Sequence, residues 1–447
     1  MIEPPKPQGV STWLRESVMI KLFFIGFLTL VLLIPSNMIS NLITERSERQ
    51  GEVDRDVSQS WAGTQLIEAP VMVIPYKKQV TEKTADNKTV TKEPKDVVYI
   101  LPDKLNIKAE IVPDTLHRGM FETIVYTARL HISGDFKPEI SALGLAPEQL
   151  ELDKAKLTFK LSDLKGLKTN PVIISGGQNL NAQPVFGEQQ LLTEGLQVPI
   201  NLSSNFTSIP FSYSLELKGS RNLAFLHTGK STTVEAKSTW ASPSFTGRYS
   251  PDERKVDQNG FTAKWQMLYY NRPFAQQWTG DNYLLNSMAK QEKAIFGVDL
   301  KPPVDHYQKT MRTAKYAILI VLLTFVALFL TEIIKKQPVH PFNYALIGAA
   351  LVIYYTLLLS FSEQVGYTLA YCIASAATIT LVSVFTASLL KNKLMALFFA
   401  AVLAVFYAFV YVLIQLEDLA LLMGSVALFV ILSVLMYFSR KINWDKQ

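Results

Sequence analysis

Five apolar runs separated by very short polar breaks fill the C-terminal third of the chain: Tyr316–Ile334, Phe342–Phe361, Tyr367–Leu390, Leu394–Ile414 and Leu419–Phe438. Each is close to the roughly 20 residues an α-helix needs to cross a hydrocarbon core of about 30 Å. Lipid offers no partner to a backbone amide, so runs this close together must be helices, packed as a bundle. Composition agrees. Hydrophobic residues make up 49% of the chain and the mean hydropathy is +0.16, high for a soluble protein, and the apolar residues are gathered rather than spread.

A sixth candidate span lies near the N-terminus. A short polar tail, Met1–Lys21, carries Lys6, Arg15 and Lys21 and is followed by the apolar core Leu22–Ile34. No small-x-small cleavage site follows in Pro35–Ser40, and Ile39–Ile43 extends the apolar stretch, so residues 22–43 read as an uncleaved signal anchor. Basic residues at the helix ends then set the topology. Lys6, Arg15 and Lys21 precede the first helix, Lys335 and Lys336 follow the second, Lys391 and Lys393 follow the fourth, and Arg440, Lys441 and Lys446 follow the sixth. Six helices put all of these on one side. The alternate breaks, Ser362–Gly366 and Gln415–Asp418, hold Glu363, Glu417 and Asp418 and no Lys or Arg. Both termini (1–21 and 439–447) are therefore expected in the cytoplasm and residues 44–315 outside it. Lys309, Arg312 and Lys315 run against this count, but they belong to a long segment, where the rule is weak.

Within residues 44–315 the signal is mostly β. Phe211, Tyr213, Leu215 and Leu217 alternate with polar neighbours, as do Ile124, Tyr126, Ala128, Leu130 and Ile132, then Phe261, Ala263, Trp265, Met267 and Tyr269, and more briefly Leu157, Phe159 and Leu161. Period two puts each set on one face of a strand. The expected fold is an α-helical integral membrane protein, one N-terminal plus five C-terminal transmembrane helices (316–438), with a large, mainly antiparallel β periplasmic domain. Lys77–Asp96, with Asp86-Asn87 near its middle, reads as a solvated hairpin or insertion. In Phe274–Phe296 the residues Tyr283, Leu284, Ser287, Met288, Gln291 and Ile295 fall at helical spacing, and a helix there would lead through the turn Lys301-Pro302-Pro303 back to the membrane.

Several stretches together carry a family resemblance. They are Gln65–Tyr76, Leu116–Glu122 running on through Val125–Ala128 to Gly134-Asp135-Phe136, Trp240–Gly247, Gly260–Trp265, and Phe296–Leu300 continuing to Tyr307 and Lys315-Tyr316-Ala317. In order and spacing the chain resembles the CreD family of bacterial inner-membrane proteins, also called cell envelope integrity proteins. The resemblance covers nearly the whole chain and includes the one-plus-five arrangement of helices. It implies a regulon under a two-component system, a part in envelope integrity, and tolerance to an E-group colicin when abundant. It carries no catalytic activity, ligand or functional residue over to this chain.

The residues themselves point to no chemistry of their own. A hydrolase needs a nucleophile, a base and an orienting group, and there is no Gly-x-Ser-x-Gly. His117, His131, His227, His306 and His340 are scattered and fit no common metal spacing. Gly176-Gly177 reads as a turn, lacking the Lys-Ser or Lys-Thr of a phosphate loop. Asn87, Asn201 and Asn205 head chance glycosylation patterns. The helix centres carry no Asp, Glu, Lys, Arg or His, which argues against ion coupling. Glu332 and Glu363 sit near helix ends where they can reach the interface, and Glu363, beside Ser360 and Ser362, is either an outer cap or the lining of a vestibule. Ala370 and Ala374, and Ala400, Ala404 and Ala408, with Ser375, Thr378, Thr380 and Ser383, read as helix-packing positions, either within the bundle or between copies. So does Cys372, the single cysteine, which excludes an internal disulfide. Trp265, Tyr269, Tyr270, Arg272, Phe274 and Trp278 form an aromatic, mildly basic stretch that serves either the core or a glycan. Pro338, His340 and Pro341 stiffen a short hairpin.

The net charge of +6 and pI of about 9.0 sit largely beside the apolar runs, so no nucleic acid is expected. The expected partners are the lipid bilayer, an envelope protein or peptidoglycan met through the β domain, and a second copy of the chain. No catalytic residue, cofactor or metal is expected. The reading is a non-enzymatic envelope protein. Its rivals are a lipid or solute transporter, which flux lost on Glu363→Gln would favour, and an envelope enzyme, which a covalent probe labelling a Ser or His in Thr44–Lys315 would favour.

Overall fold

The computed structural model describes residues 18–439 except 79, 84–88, 93–94, 187–193, 204–206, 281–284, 286, 303–305, 336, 392 and 417–419. The tail before Val18, the tail from Arg440 onward, Asp86-Asn87, Asn205, Tyr283-Leu284, Lys336 and Glu417-Asp418 therefore lie outside the described residues. The chain divides into two compact units, Met1–Gln50 with Val304–Gln447, and Gly51–Pro303.

The helical unit is built from α1 (Val18–Trp61, whose last turns belong to the other unit), α3 (His306–Lys315), α4 (Ala317–Lys335), α5 (Pro341–Val365), α6 (Tyr367–Leu390), α7 (Lys393–Gln415) and α8 (Ala420–Ser439); α2 (Met288–Gln291) is a single turn in the β-unit. Among the described residues four helices are long and apolar enough to cross a bilayer, and a fifth is added when α3 and α4, bent by 41°, count as one span. α8 is apolar over its length as well. One core joins α1 to α7 through Ile25, Ile43, Phe325, Leu351, Tyr354, Tyr371, Leu403 and Tyr407. Gly348 lets α5 close on two neighbours, since a Cβ there would lie 2.4 Å from Leu32 of α1 and 2.9 Å from Phe325 of α4.

Three readings of this unit are corrected. The first helix does not end at Ile43: it continues to Trp61, because Glu45, Arg46, Glu48, Arg49, Gln50 and Glu52 are strong helix formers. The β-unit accordingly begins at Gly51 rather than at Thr44. Cys372 is exposed, since Tyr371, Ala374, Ser375 and Thr378 take the packed face of α6. Ala404 and Ala408 are exposed too, and α7 packs through Phe399, Leu403, Tyr407, Val410 and Ile414 instead.

The β-unit holds two large sheets. The first runs in the order β10 (Gln183–Phe186), β11 (Glu194–Pro199), β7 (Lys156–Leu161), β1 (Gln65–Lys77), β13 (Asn222–Leu226), β19 (Ile295–Leu300) and β15 (Pro243–Gly247), with β4 (Lys95–Ile100) on β1 and β18 (Gln277–Thr279) on β4. The second runs β16 (Glu253–Asp257), β17 (Gly260–Leu268), β14 (Ser231–Ser238), β5 (Lys104–Arg118), β6 (Phe121–Phe136), β12 (Ile209–Ser220), β8 (Val172–Ser175) and β9 (Gln178–Asn181). β2 (Val80–Lys83) and β3 (Thr89–Lys92) make the hairpin within the polar segment. The ladders are antiparallel apart from β1 on β13 and β5 on β14.

The two sheets share one core. Leu105, Ile107, Tyr126, Leu130, Phe211, Leu215 and Trp265 of the second sheet meet Ile67, Met72, Ile74, Leu157, Phe159 and Val298 of the first. β1 is buried on both faces: Ile67, Met72, Ile74 and Tyr76 face this core, while Val71 and Val73 face a second one with Tyr99, Leu101, Phe274, Trp278 and Leu285. A near-continuous apolar strand is the sequence such a position needs. The last turns of α1 are latched to this unit by polar contacts. Asp54 accepts from Thr123 (2.8 Å) and from Arg221 (2.8 Å), Asp56 pairs with Arg118 (3.1 Å), and Lys218 lies 4.0 Å above the Trp61 ring. Of the helix expected through 283–295, Leu285 and α2 are helical and 283, 284 and 286 lie outside the described residues, while Ile295 opens β19, a short apolar run that pairs with β13 and β15.

Candidate functional site

Glu332 and Glu363, the two carboxylates of the helix ends, do not behave alike. Glu332 is turned into the bundle with a side chain 4% exposed, so the interfacial reading fails. Lys21 of α1 donates to its Oε1, and the Tyr344 hydroxyl of α5 donates to its Oε2 at 2.9 Å. One carboxylate of α4 thus binds helices from both ends of the chain. Glu363 accepts from the Tyr307 hydroxyl at 3.1 Å, with Arg46 Nε 4.0 Å from the same oxygen. Ser362 is buried and donates to Leu359 O, whereas Ser360 is exposed. Ser and Glu therefore do not converge on a vestibule.

The histidines each have a local partner. His117 pairs with Glu122 (3.1 Å) on an exposed hairpin, His131 meets Ser214 (3.2 Å), His306 accepts from the Tyr367 amide (3.2 Å), and His340 caps α5 by accepting from Phe342 N (3.2 Å). Among the described residues no group of three His, Cys, Asp or Glu is placed to hold a metal. Gly176 and Gly177 form the turn between β8 and β9, both at positive φ.

His227 is the buried one. Its ring lies between Thr232 Oγ1 (3.0 Å) and Leu268 O (3.1 Å), and burial pulls its pKa down to about 4, opposed by the Leu268 carbonyl and assisted by nearby Arg272. The folded state therefore holds a neutral ring, while an unfolded chain takes up a proton below the ordinary value of 6.5. Stability should be complete above that pH and drain away as pH falls toward about 4, by up to roughly 3 kcal/mol for 1.36 kcal/mol per unit. Thermal unfolding of the full chain from pH 8 to pH 4 checks this. The His227→Gln variant should show a flatter profile, and an equally steep one would refute the assignment.

The aromatic stretch divides between core and surface. Trp265, Phe274 and Trp278 are buried, and Arg272 with them. Tyr269 does not extend the buried face, because β17 ends at Leu268; it stacks on exposed Tyr270 with centroids 4.1 Å apart. Little of the stretch is left to meet a glycan.

The solvent face of the second sheet forms an open groove of about 950 Å³. Strand register arranges its charges in two rows. One reads Glu253, Lys264, Glu235, Lys108, His131, Ser214 across β16, β17, β14, β5, β6 and β12. The next reads Lys255, Thr262, Lys237, Glu110, Arg129, Glu216. Opposite charges directly across neighbouring strands attract, and Lys237–Glu110 (3.1 Å) and Lys264–Glu253 (3.8 Å) close as ion pairs. On this face Ser214 Oγ lies 3.2 Å from Nδ1 of exposed His131. Period two in the sequence marks each of these residues as outward-facing, but the rows appear only once the register is known.

The architecture defines a multi-helix membrane protein that carries a large mixed-sheet domain between its first helix and the rest. The family described as inner membrane protein CreD matches residues 17–445. The inner membrane protein CreD of Escherichia coli (strain K12) is 29% identical over 417 residues, 93% of this chain and 91% of that protein. The chain belongs to the CreD family of inner membrane proteins.

Proposed function

We propose that the chain is a non-enzymatic component of the bacterial inner membrane that supports envelope integrity by holding an envelope partner on its β-unit. In this reading one N-terminal and five C-terminal helices cross the bilayer, both termini are cytoplasmic, and the β-unit is periplasmic. The observation that carries it is the charge-alternating groove of the second sheet, wide and crossed by self-compensating ion pairs. Such a surface suits a partner that itself carries both signs of charge, as the peptide stems of peptidoglycan or an envelope protein do. Induction by a two-component system and colicin tolerance are the roles the family resemblance supports for it.

Photo-crosslinking in cells from Ser214 and Thr262, two small side chains inside the groove, tests the proposal. A discrete adduct from both positions, missing from a crosslinker at exposed Glu148, is the expected result. Equal labelling from all three positions would refute the groove as a docking face, and measured turnover by the purified protein would refute the non-enzymatic reading.

A further inference from the structure

Three cations converge on one cleft of the β-unit. The cleft measures about 620 Å³ and is lined by Arg248, Tyr249, Asn271, Arg272 and Lys293 beside Gly247. Among the described residues no carboxylate lines it and no ion pair reaches Arg248, Arg272 or Lys293. The three come from separate connections: Arg248 follows β15, Arg272 follows β17, and Lys293 follows α2.

Arg272 decides what the cleft can do. Its side chain is 7% exposed, its Nη1 donates to Thr228 O and its Nη2 to Gln276 Oε1, yet its Nε has no partner. Arginine is almost never buried without a counter-charge, and a buried donor left unmet adds a further cost. The nearest carboxylate to act on it, Asp103, is already shared between Lys137 (3.6 Å) and Lys230 (3.8 Å). Gln276 is itself fixed, donating to Leu101 O (2.7 Å) and Pro102 O (3.2 Å), so the guanidinium is held in place.

The loops around it are tied together as well. The Tyr249 hydroxyl donates to Asn271 O, with Lys293 O 3.3 Å away, which joins all three cation-bearing segments. Gly247 turns the chain at φ +93, where any side chain would strike Ile295 O. A fixed guanidinium with two exposed cations at the rim is a pre-organised oxyanion seat. Three uncompensated positive charges exceed what one carboxylate neutralises, and they suit the two charges and several acceptor oxygens of a phosphate.

We infer that this cleft binds a phosphate-bearing ligand, with the phosphate on Arg272 and its outer oxygens met by Arg248 and Lys293. The site is independent of the groove proposed to hold the envelope partner. The test is calorimetric titration of the full chain in neutral detergent with inorganic phosphate, with glycerol 3-phosphate and, as a non-phosphate anion, with acetate. Saturable binding of a phosphate probe is expected, with acetate weaker by about tenfold or more, as charge-assisted contacts to a single carboxylate would give. R248Q/K293Q removes only the two exposed cations and should keep the fold, checked by circular dichroism, while weakening phosphate binding by about tenfold or more. Competition by phosphatidylglycerol in mixed micelles would trace the phosphate to a lipid headgroup, and preference for glycerol 3-phosphate to a soluble monoester; either supports the site. No saturable binding of either phosphate probe, acetate binding as tightly as phosphate, or wild-type affinity in R248Q/K293Q would each overturn it.

Discussion

Replacing Trp265 with alanine is expected to cost the β-unit about 3–5 kcal/mol, the range for truncating a large, fully buried aromatic. The ring is wholly buried where the two sheets meet, with Phe245 of β15 at 5.8 Å and Phe296 of β19 at 5.6 Å between centroids. Trp265 belongs to the second sheet and both phenylalanines to the first, so the cavity would open at the seam between them. The indole also donates to Tyr249 O at 3.1 Å, and its removal leaves that carbonyl to find another donor. Trp265→Phe keeps most of the volume and loses the donor, and should cost only about 1–2 kcal/mol. Denaturant unfolding of the full chain in detergent, followed by circular dichroism, ranks the variants. Equal stability of Trp265→Ala and wild type would mean that the seam collapses around the gap or that the ring is not its centre.

How much of this was legible in the residues depends on whether the signal is local. Period two places Phe211, Tyr213, Leu215 and Leu217 inward, and all four are buried; nothing beyond the strand itself is needed to see that. Pairing is another matter. β5 lies antiparallel to β6, which follows it at once, but also parallel to β14, more than a hundred residues on. No local pattern contains that second contact. Ile295, counted at helical spacing with Met288 and Gln291, opens a strand for a related reason: Ile295–Leu300 is too short a run to separate strand from helix by spacing, and its neighbours β13 and β15 decided it.

In the bundle the loss of information has a different cause. Lipid and protein interior are both apolar, so hydrophobic period does not say which face packs. Cys372, Ala404 and Ala408 read as packing positions by their small size, and they are exposed on this chain's bundle. Bulky Tyr354, Tyr371 and Tyr407 fill the centre instead, stacked at 4.7–6.5 Å between rings. The phosphate cleft draws on three connections, and each cation alone reads as an ordinary surface charge. Only Arg272 differs, through its burial, and burial of a loop residue has no sequence signature. Lys21 and Glu332 did carry a hint, each a single charge on an otherwise apolar flank, although 311 positions separate them.

That pair should show an unequal response to its two deletions. Glu332 is 4% exposed and Lys21 is 22% exposed, so only the lysine can extend its stem and carry its charge to water. Lys21→Met leaves a carboxylate inside the bundle with the Tyr344 hydroxyl as its remaining partner, and should destabilise the helical unit by about 3–5 kcal/mol, the usual cost of stranding a buried charge. Glu332→Leu removes the buried charge itself and frees Lys21 to reach the interface, so about 1–2 kcal/mol is expected, mostly from the orphaned tyrosine hydroxyl. The double variant should lie near Glu332→Leu, because once the carboxylate is gone the lysine has nothing left to neutralise. Thermal unfolding of the four proteins in one detergent, treated as a double-mutant cycle, measures the coupling. Equal losses from the two single variants, adding in the double, would show that the contact is incidental. Destabilisation dominated by Lys21→Met would show that α4 tolerates its carboxylate only because α1 supplies the counter-charge, which makes the N-terminal helix a structural member of the bundle rather than a tether.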